Sequence, residues 1–337
     1  MNSLIRKAVT GTASLLMTLS AIAAEPVNIS DPVSGELLLA DPTIYLSDGK
    51  YYMAGTLPDS SKGFIILESD DLLNWEVSSP DGGLQLSPRS DVYGTTGFWA
   101  PQFLPEGDKV NLFYTANEHV AHAVADGFSG RYRASVSTET GSTANKPEPI
   151  DGSCGNIDPF LFRDSDGKCY LYHVRFDNGN YLWVGEYDMA TGKIIDGTLR
   201  PTFRVDQPWE HTQTYESVPI MEGPTLLKLG DTYYLFYSAN HFMSKDYAVG
   251  YATAPTPYGP WTKNPDNPII SMSVTGEAGS GHGDIFTDKE GALRYVFHVH
   301  NSADKVSPRR TRIISLKQSD PLRIVADPTT LIKPKLR

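Results

Sequence analysis

The sequence predicts an all-β protein: a five-bladed β-propeller with four antiparallel strands to each blade. Three observations lead there. A phrase of Pro or Gly, an apolar strand, a polar turn and a second apolar strand occurs five times. Its aligned positions, 42, 101, 159, 224 and 283, stand 59, 58, 65 and 59 residues apart. No stretch keeps apolar residues at three-four spacing for long, whereas short runs rich in Val, Ile, Tyr and Phe recur between Gly, Pro, Asp and Asn. A regular period carrying four strands is the signature of blades stacked around a channel. A two-sheet sandwich, the alternative, would not generate that period.

Taken in order, the chain opens with Arg6 and Lys7, then an acid-free apolar run, Ala8 to Ala24, holding Ala21-Ile22-Ala23. This is the pattern of a secretory signal. The run is short for a membrane span, and no cysteine directly follows it to take a lipid. The expectation is a signal over 1–24, export to the periplasm or cell exterior, and one propeller domain over 25–337. Residues 25–40 are a lead-in or the strand that closes the ring.

Each blade then begins with a hairpin whose turn uses residues tolerant of positive φ. These turns are Ser47-Asp48-Gly49, Glu106-Gly107-Asp108, Asp164–Gly167, Leu229-Gly230-Asp231 and Asp288–Gly291. A second, less regular strand pair follows each one. Its members are Phe64–Leu67 with Ser69–Trp75, Tyr132–Val136, Leu182–Tyr187 with Thr191–Lys193, Tyr247–Ala252 with Tyr258–Trp261, and Arg312–Leu316 with Leu322–Val325. Insertions near 117–130 and 200–216 are expected as rim loops.

Charge narrows the partners. Without Arg6 and Lys7, 27 basic residues face 40 acidic ones, a net charge of −13. Nucleic acid and anionic lipid would each need a basic face, so neither is expected, nor is membrane insertion. Cys154 and Cys169 lack metal-ligand spacing and are too few for a disulfide scaffold; one bridge or two buried thiols are the readings. A monomer is expected.

Rotation about a propeller axis brings the start of every innermost strand to one mouth of the channel. Those positions are Asp41, Ala100, Asp158, Gly223 and His282, with Glu222 one residue earlier. An Asp beside Pro is commonly a turn residue, but three acids at matched phase in three blades point to a site. Clustered buried carboxylates drive one another's pKa values apart. Glycoside hydrolysis uses such a pair, one protonated to assist the leaving oxygen and one ionised to activate water or attack the sugar. Holding a hard cation such as calcium is the competing use, with His282 a candidate ligand, direct or through water. No other cofactor is expected.

Phe98 and Trp99 precede the blade-two position and are candidates for the sugar-binding mouth, Trp99 as a platform. Trp183, Trp209 and Tyr215 fall in rim segments, while Trp75 and Trp261 are expected to pack. In Ser307–Arg312, an arginine reaching the channel would bind substrate hydroxyls and keep a carboxylate ionised. Strand alternation places Arg310 and Arg312 on one face and Arg309 on the other. Arg310 is the one favoured here.

These residues resemble glycoside hydrolase family 43 over essentially the whole chain after residue 24. The resemblance rests on Ala40-Asp41-Pro42, Trp99-Ala100-Pro101, Ile157-Asp158-Pro159, Met221-Glu222-Gly223-Pro224 and Gly281-His282-Gly283 in this order and spacing. It implies that Asp41 is the general base, Glu222 the general acid, and Asp158 the residue that orients the acid and tunes its pKa. It also implies inversion at the anomeric carbon, with acid and base about 6.5–9.5 Å apart. His282 matches a position over a central water cluster that often binds calcium. Ala40 departs from the usual Arg, at a position that varies. Fructan-directed and family 62 propellers also use three axial acids, but the Trp-Met-Asn-Asp-Pro opening of the former is absent. The resemblance implies a carbohydrate substrate and release of terminal α-L-arabinofuranosyl or β-D-xylosyl units. The alternatives are a galactan-directed exo-enzyme and a carbohydrate-binding propeller without turnover.

Overall fold

The computed structural model describes residues 27–79, 82–134, 148–214, 217–320 and 322–337. The signal segment over 1–24 and Tyr215 lie outside the described residues. Five antiparallel sheets follow one another along the chain. Their innermost strands are Ala40–Ser47, Trp99–Glu106, Asn156–Arg163, Met221–Leu229 and Gly281–Thr287. Each pairs with the next strand in sequence through a tight turn. The third and fourth strands then continue outward, so the five predicted hairpins are the inner halves of five blades. Among the described residues the sole α-helix is Met272–Thr275, and no helix is long and apolar enough to cross a membrane.

Near-continuous apolar strands make sense because both faces of a blade are covered. Five apolar clusters form, one at each blade-to-blade interface. Phe64, Phe98 and Tyr114 fill the first, Phe113, Leu171 and Tyr187 the second, and Tyr172, Val184 and Leu235 the third. Phe236, Tyr251 and Tyr295 fill the fourth, and Met53, Trp75 and Val296 the fifth. Trp75 is fully buried with its indole N–H bonded to the Leu72 carbonyl (2.9 Å), and Trp261 packs edge-on against Tyr172, so both are packing residues. The ring closes from both ends. Lys335–Leu336 runs parallel to the outer strand Asn74–Val77 of blade one. Thr311 of blade five donates to the Leu37 and Leu39 carbonyls through its N–H (3.1 Å) and hydroxyl (2.9 Å).

Two expectations change. The stretch near 117–130 is not a rim insertion, since His119–Asp126 is the third strand of blade two. Its His and Ala content hid it from a search for aromatic and β-branched residues. Of the stretch 200–216, the described residues 200–214 follow the short pairing of Arg200–Pro201 and are anchored through Glu210. That carboxylate is fully buried, accepting from the Tyr237 hydroxyl (2.6 Å) and from Lys263 (2.7 Å). Cys154 and Cys169 are unbridged.

Candidate active site

Every innermost strand carries a bulge at the same place, with one residue forced into the left-handed region. Those residues are Asp41 (φ 46°), Ala100 (46°), Asp158 (57°), Gly223 (61°) and His282 (43°). This conformation costs non-glycine residues of order 1 kcal/mol or more each, and such strain concentrates at functional sites. The kink turns the side chain off the strand's normal alternation and toward the channel mouth. In blade four glycine occupies the kink because a Cβ there would lie 2.7 Å from the His282 ring. The acid of that blade, Glu222, is therefore supplied by the preceding residue.

The three acids and His282 come together at the end of a pocket of about 460 Å³. Trp99, Ile157, Asn180, Val218, Ile220, His241, Phe242 and Arg309 complete its lining. Asp41 is buried and heavily donated to. Arg309 Nη1 is 3.0 Å from Oδ1, the Thr56 hydroxyl is 2.7 Å from Oδ2, and His282 Nδ1 is 3.4 Å from Oδ1. Burial, the largest single influence, would raise this carboxyl, but the Arg309 guanidinium together with His282 and His298 outweighs it and holds Asp41 well below the usual carboxylate range. Glu222 has the opposite fate. Burial pushes it up to about 7, aided by repulsion from Asp41 and opposed by the Tyr247 hydroxyl that donates to Oε1 at 2.7 Å. Burial and the charges of Glu222 and Asp41 also push Asp158 upward, while the Gly223 N–H, 3.1 Å from Oδ2, opposes that rise.

One carboxyl is thus held ionised and another held protonated near neutrality in a single pocket, which is the pairing that acid–base hydrolysis needs. A calcium ion would require several oxygen ligands in one place. Here His282 Nδ1 already faces the carboxylates of Asp41 and Asp158 (3.4 and 3.8 Å). No group of three or more His, Cys, Asp or Glu residues suited to an ion occurs among the described residues. The residues do not fit a directly ligated ion, and no step below runs through one.

Of the expected mouth residues, Trp99 lines the pocket but Phe98 does not. Phe98 is fully buried in the first interblade core, stacked on Tyr114 and edge-on to Phe64, because adjacent residues of an extended strand point to opposite sides. Arg310 is also misplaced. Alternation along the strand does hold, for Arg310 and Arg312 share a face, but that face points at Glu36 (3.1 and 3.0 Å) rather than the channel. Arg309, on the other face, is the arginine of the pocket. Trp183 and Trp209 pack, Trp209 against Tyr237 and Trp183 beneath the Arg175 guanidinium.

Sequence reasoning missed His298, Tyr247 and Phe242. His298 stands between Asp41 and Arg309, with Nδ1 3.2 Å from Asp41 Oδ1 and Nε2 3.2 Å from Arg309 Nη1. Burial pulls its pKa down to about 3. Phe242 lies under the Arg309 guanidinium (4.8 Å), and its carbonyl is held by His300 Nε2 (2.9 Å). The available signal was position: His298 follows a second strand's apolar run where three of the other four blades carry Thr or Ser.

The fold and the site together define a class, an acid–base hydrolase built on a five-bladed propeller. The chain belongs to the glycosyl hydrolases family 43, whose family model matches residues 29–320. Among solved structures it is similar to an endo-1,4-β-xylanase from Bacteroides thetaiotaomicron, at 38% identity and a TM-score of 0.80, covering 90% of this chain and 98% of that one. Among curated proteins it is similar to xylosidase/arabinosidase 43B of Humicola insolens, at 26% identity over 77% of this chain and 47% of that protein. It is also similar to a β-xylosidase of Bacillus subtilis, at 30% identity over 68% of this chain and 42% of that protein. The chain spans about half the length of these curated relatives or less.

Proposed function

We propose that this chain is an inverting glycosidase that removes terminal α-L-arabinofuranosyl or β-D-xylosyl units from plant-type polysaccharide or oligosaccharide. The observation that carries the reading is the opposite tuning of Asp41 and Glu222 within one pocket. Glu222 protonates the departing glycosidic oxygen. Asp41 takes a proton from a water that attacks the anomeric carbon from the opposite face. Asp158 orients Glu222 and keeps its proton in place. Arg309 holds Asp41 ionised and, with Asn180 and His241, offers donors to sugar hydroxyls, while Trp99 and Phe242 provide apolar faces. Pentose specificity is supported by the names of the xylosidase and arabinosidase relatives.

Nitrophenyl arabinofuranoside, xyloside and galactoside, followed by arabinoxylan, arabinan and galactan, test the substrate. Glu222→Gln and Asp41→Asn test the roles, each expected to lower turnover by about 10²-fold or more. Near-wild-type turnover in either variant overturns the assignment. Internal cleavage of xylan is the second reading, favoured by the full-length similarity to the Bacteroides endo-xylanase. Chromatography separates the two, since early release of free pentose marks exo action and early release of longer oligosaccharides marks internal cleavage.

A further inference from the structure

At the kink of each innermost strand the backbone N–H needs a partner, and four blades supply it alike. The Ala100, Asp158 and His282 amides donate to Thr56 Oγ1 (3.0 Å), Thr115 Oγ1 (2.9 Å) and Ser238 Oγ (2.8 Å), each on the second strand of the preceding blade. The Asp41 amide lies 3.1 Å from His298 Nδ1 in blade five. Register makes these positions equivalent. Thr56 pairs with Ala40, Thr115 with Trp99, Ser238 with Glu222 and His298 with Gly281, in each case the residue just before the kink. In blade three the equivalent pair is Val174 with Ile157. Val174 is fully buried and offers no acceptor. The Gly223 amide, left without the usual partner, donates instead to Asp158 Oδ2 (3.1 Å).

We propose that Val174 is a positioning residue: by withholding an acceptor from Gly223, it sends that N–H to Asp158 and biases the proton shared by the two buried acids toward Glu222. A backbone N–H can only donate, and it donates best to a carboxylate. The bond therefore favours the anion of Asp158, against the burial and the neighbouring charges that push this carboxyl upward. The Tyr247 hydroxyl facing Glu222 can donate to a carboxylate or accept from a protonated carboxyl, so Glu222 can carry the proton without losing its partner. The repeat is broken in blade three where the break sets the protonation of the acid pair. This inference rests on the glycosidase reading and refines the part Asp158 plays in it.

The test is Val174→Thr, nearly isosteric, with Val174→Ala as a change that adds no hydroxyl and Val174→Ser as a second hydroxyl variant. In protein labelled with ¹⁵N-glycine, the wild-type Gly223 amide resonance shifts as the acid pair titrates, and Asp158→Asn abolishes that shift. In Val174→Thr or Val174→Ser the shift is lost, because the amide now bonds the new hydroxyl. The basic limb of kcat/KM also moves to lower pH, with a loss of about tenfold at pH 7 relative to pH 5. Val174→Ala leaves the limb in place. A Gly223 amide that still follows the acid pair in the hydroxyl variants, with the limb unmoved, overturns the proposal. Absence of turnover by wild-type protein on every glycoside would overturn the glycosidase reading instead, and the amide titration would still decide the role of Val174.

Discussion

Arg309 Nη1 stands 3.0 Å from Asp41 Oδ1, while the next residue, Arg310, turns away to bind Asp31 (2.7 Å) and Glu36 (3.1 Å). Two adjacent arginines thus do unrelated work. Arg310 ties blade five to the lead-in, and Arg309 sets the charge state of the acid proposed to activate water.

Arg309→Gln should therefore raise the pKa of Asp41, since burial would then act on that carboxyl with less opposition. The acidic limb of kcat/KM is expected to move to higher pH and the plateau to fall by about 10²-fold, because the guanidinium lines the pocket and is also proposed to donate to substrate. Arg310→Gln should leave the acidic limb in place and lower the melting temperature. A pH–rate profile for each variant checks the contrast.

The basic limb of wild-type kcat/KM is expected near pH 7, the value at which Glu222 loses its proton. Tyr247→Phe removes a hydroxyl that donates to Glu222 Oε1 and favours its ionised form. Glu222 should then hold its proton more tightly, so the basic limb moves to higher pH, opposite in sign to the shift expected for Val174→Thr. Tyr247→Phe and Val174→Thr measured side by side under identical buffers check both directions.

Periodicity made the fold and the three acids legible, because a repeat fixes phase and phase fixes which side chains meet at the axis. Asp41, Asp158 and His282 follow from that alone, Glu222 stands one residue off the phase, and Trp99 was reached only as the neighbour of Ala100. The one-residue offset of Glu222 is also physical, since Gly223 must take the left-handed kink next to the His282 ring. The choice between Arg309 and Arg310 was not legible. It depends on Glu36 and on Glu277, which binds Arg312 at 2.7 Å, and both lie far from the arginines in sequence. Phe98 failed for a similar reason: proximity to a site residue does not say which side of the strand it faces. Phe242 lies in the turn His241–Ser244, whose course is set by contacts to blade five.

Gly223→Ala is expected to be disproportionately harmful for a single methyl group. The position has φ 61°, and the added Cβ would stand 2.7 Å from His282 Cδ2. The left-handed conformation costs about 1–2 kcal/mol, and relief of the clash would displace His282 from Asp41 and Asp158. A lower denaturation midpoint together with a fall in kcat checks this, whereas Gly230→Ala, at a turn with open space around it, should show only the conformational cost.

Asp284 gives the last prediction. It is buried on the channel, accepts from the hydroxyls of Thr43 (2.7 Å) and Thr225 (2.6 Å) and from the Ile285 N–H (2.7 Å), and has no part in the proposed proton transfers. Burial pushes its carboxyl up to about 6 in spite of those donors. A folded pKa above the unfolded one, about 3.9, means that the native state binds this proton more tightly. The resulting stabilisation is fully present below the unfolded value and is lost as pH rises through about 6. The amount at stake is on the order of 3 kcal/mol. Asp284→Asn removes the charge while the threonine hydroxyls can reverse to accept from its amide. Its stability relative to wild type should therefore rise between pH 4 and pH 7, measured as the difference in urea midpoints. A difference that stays flat across that range would show that Asp284 is ionised in the folded protein throughout.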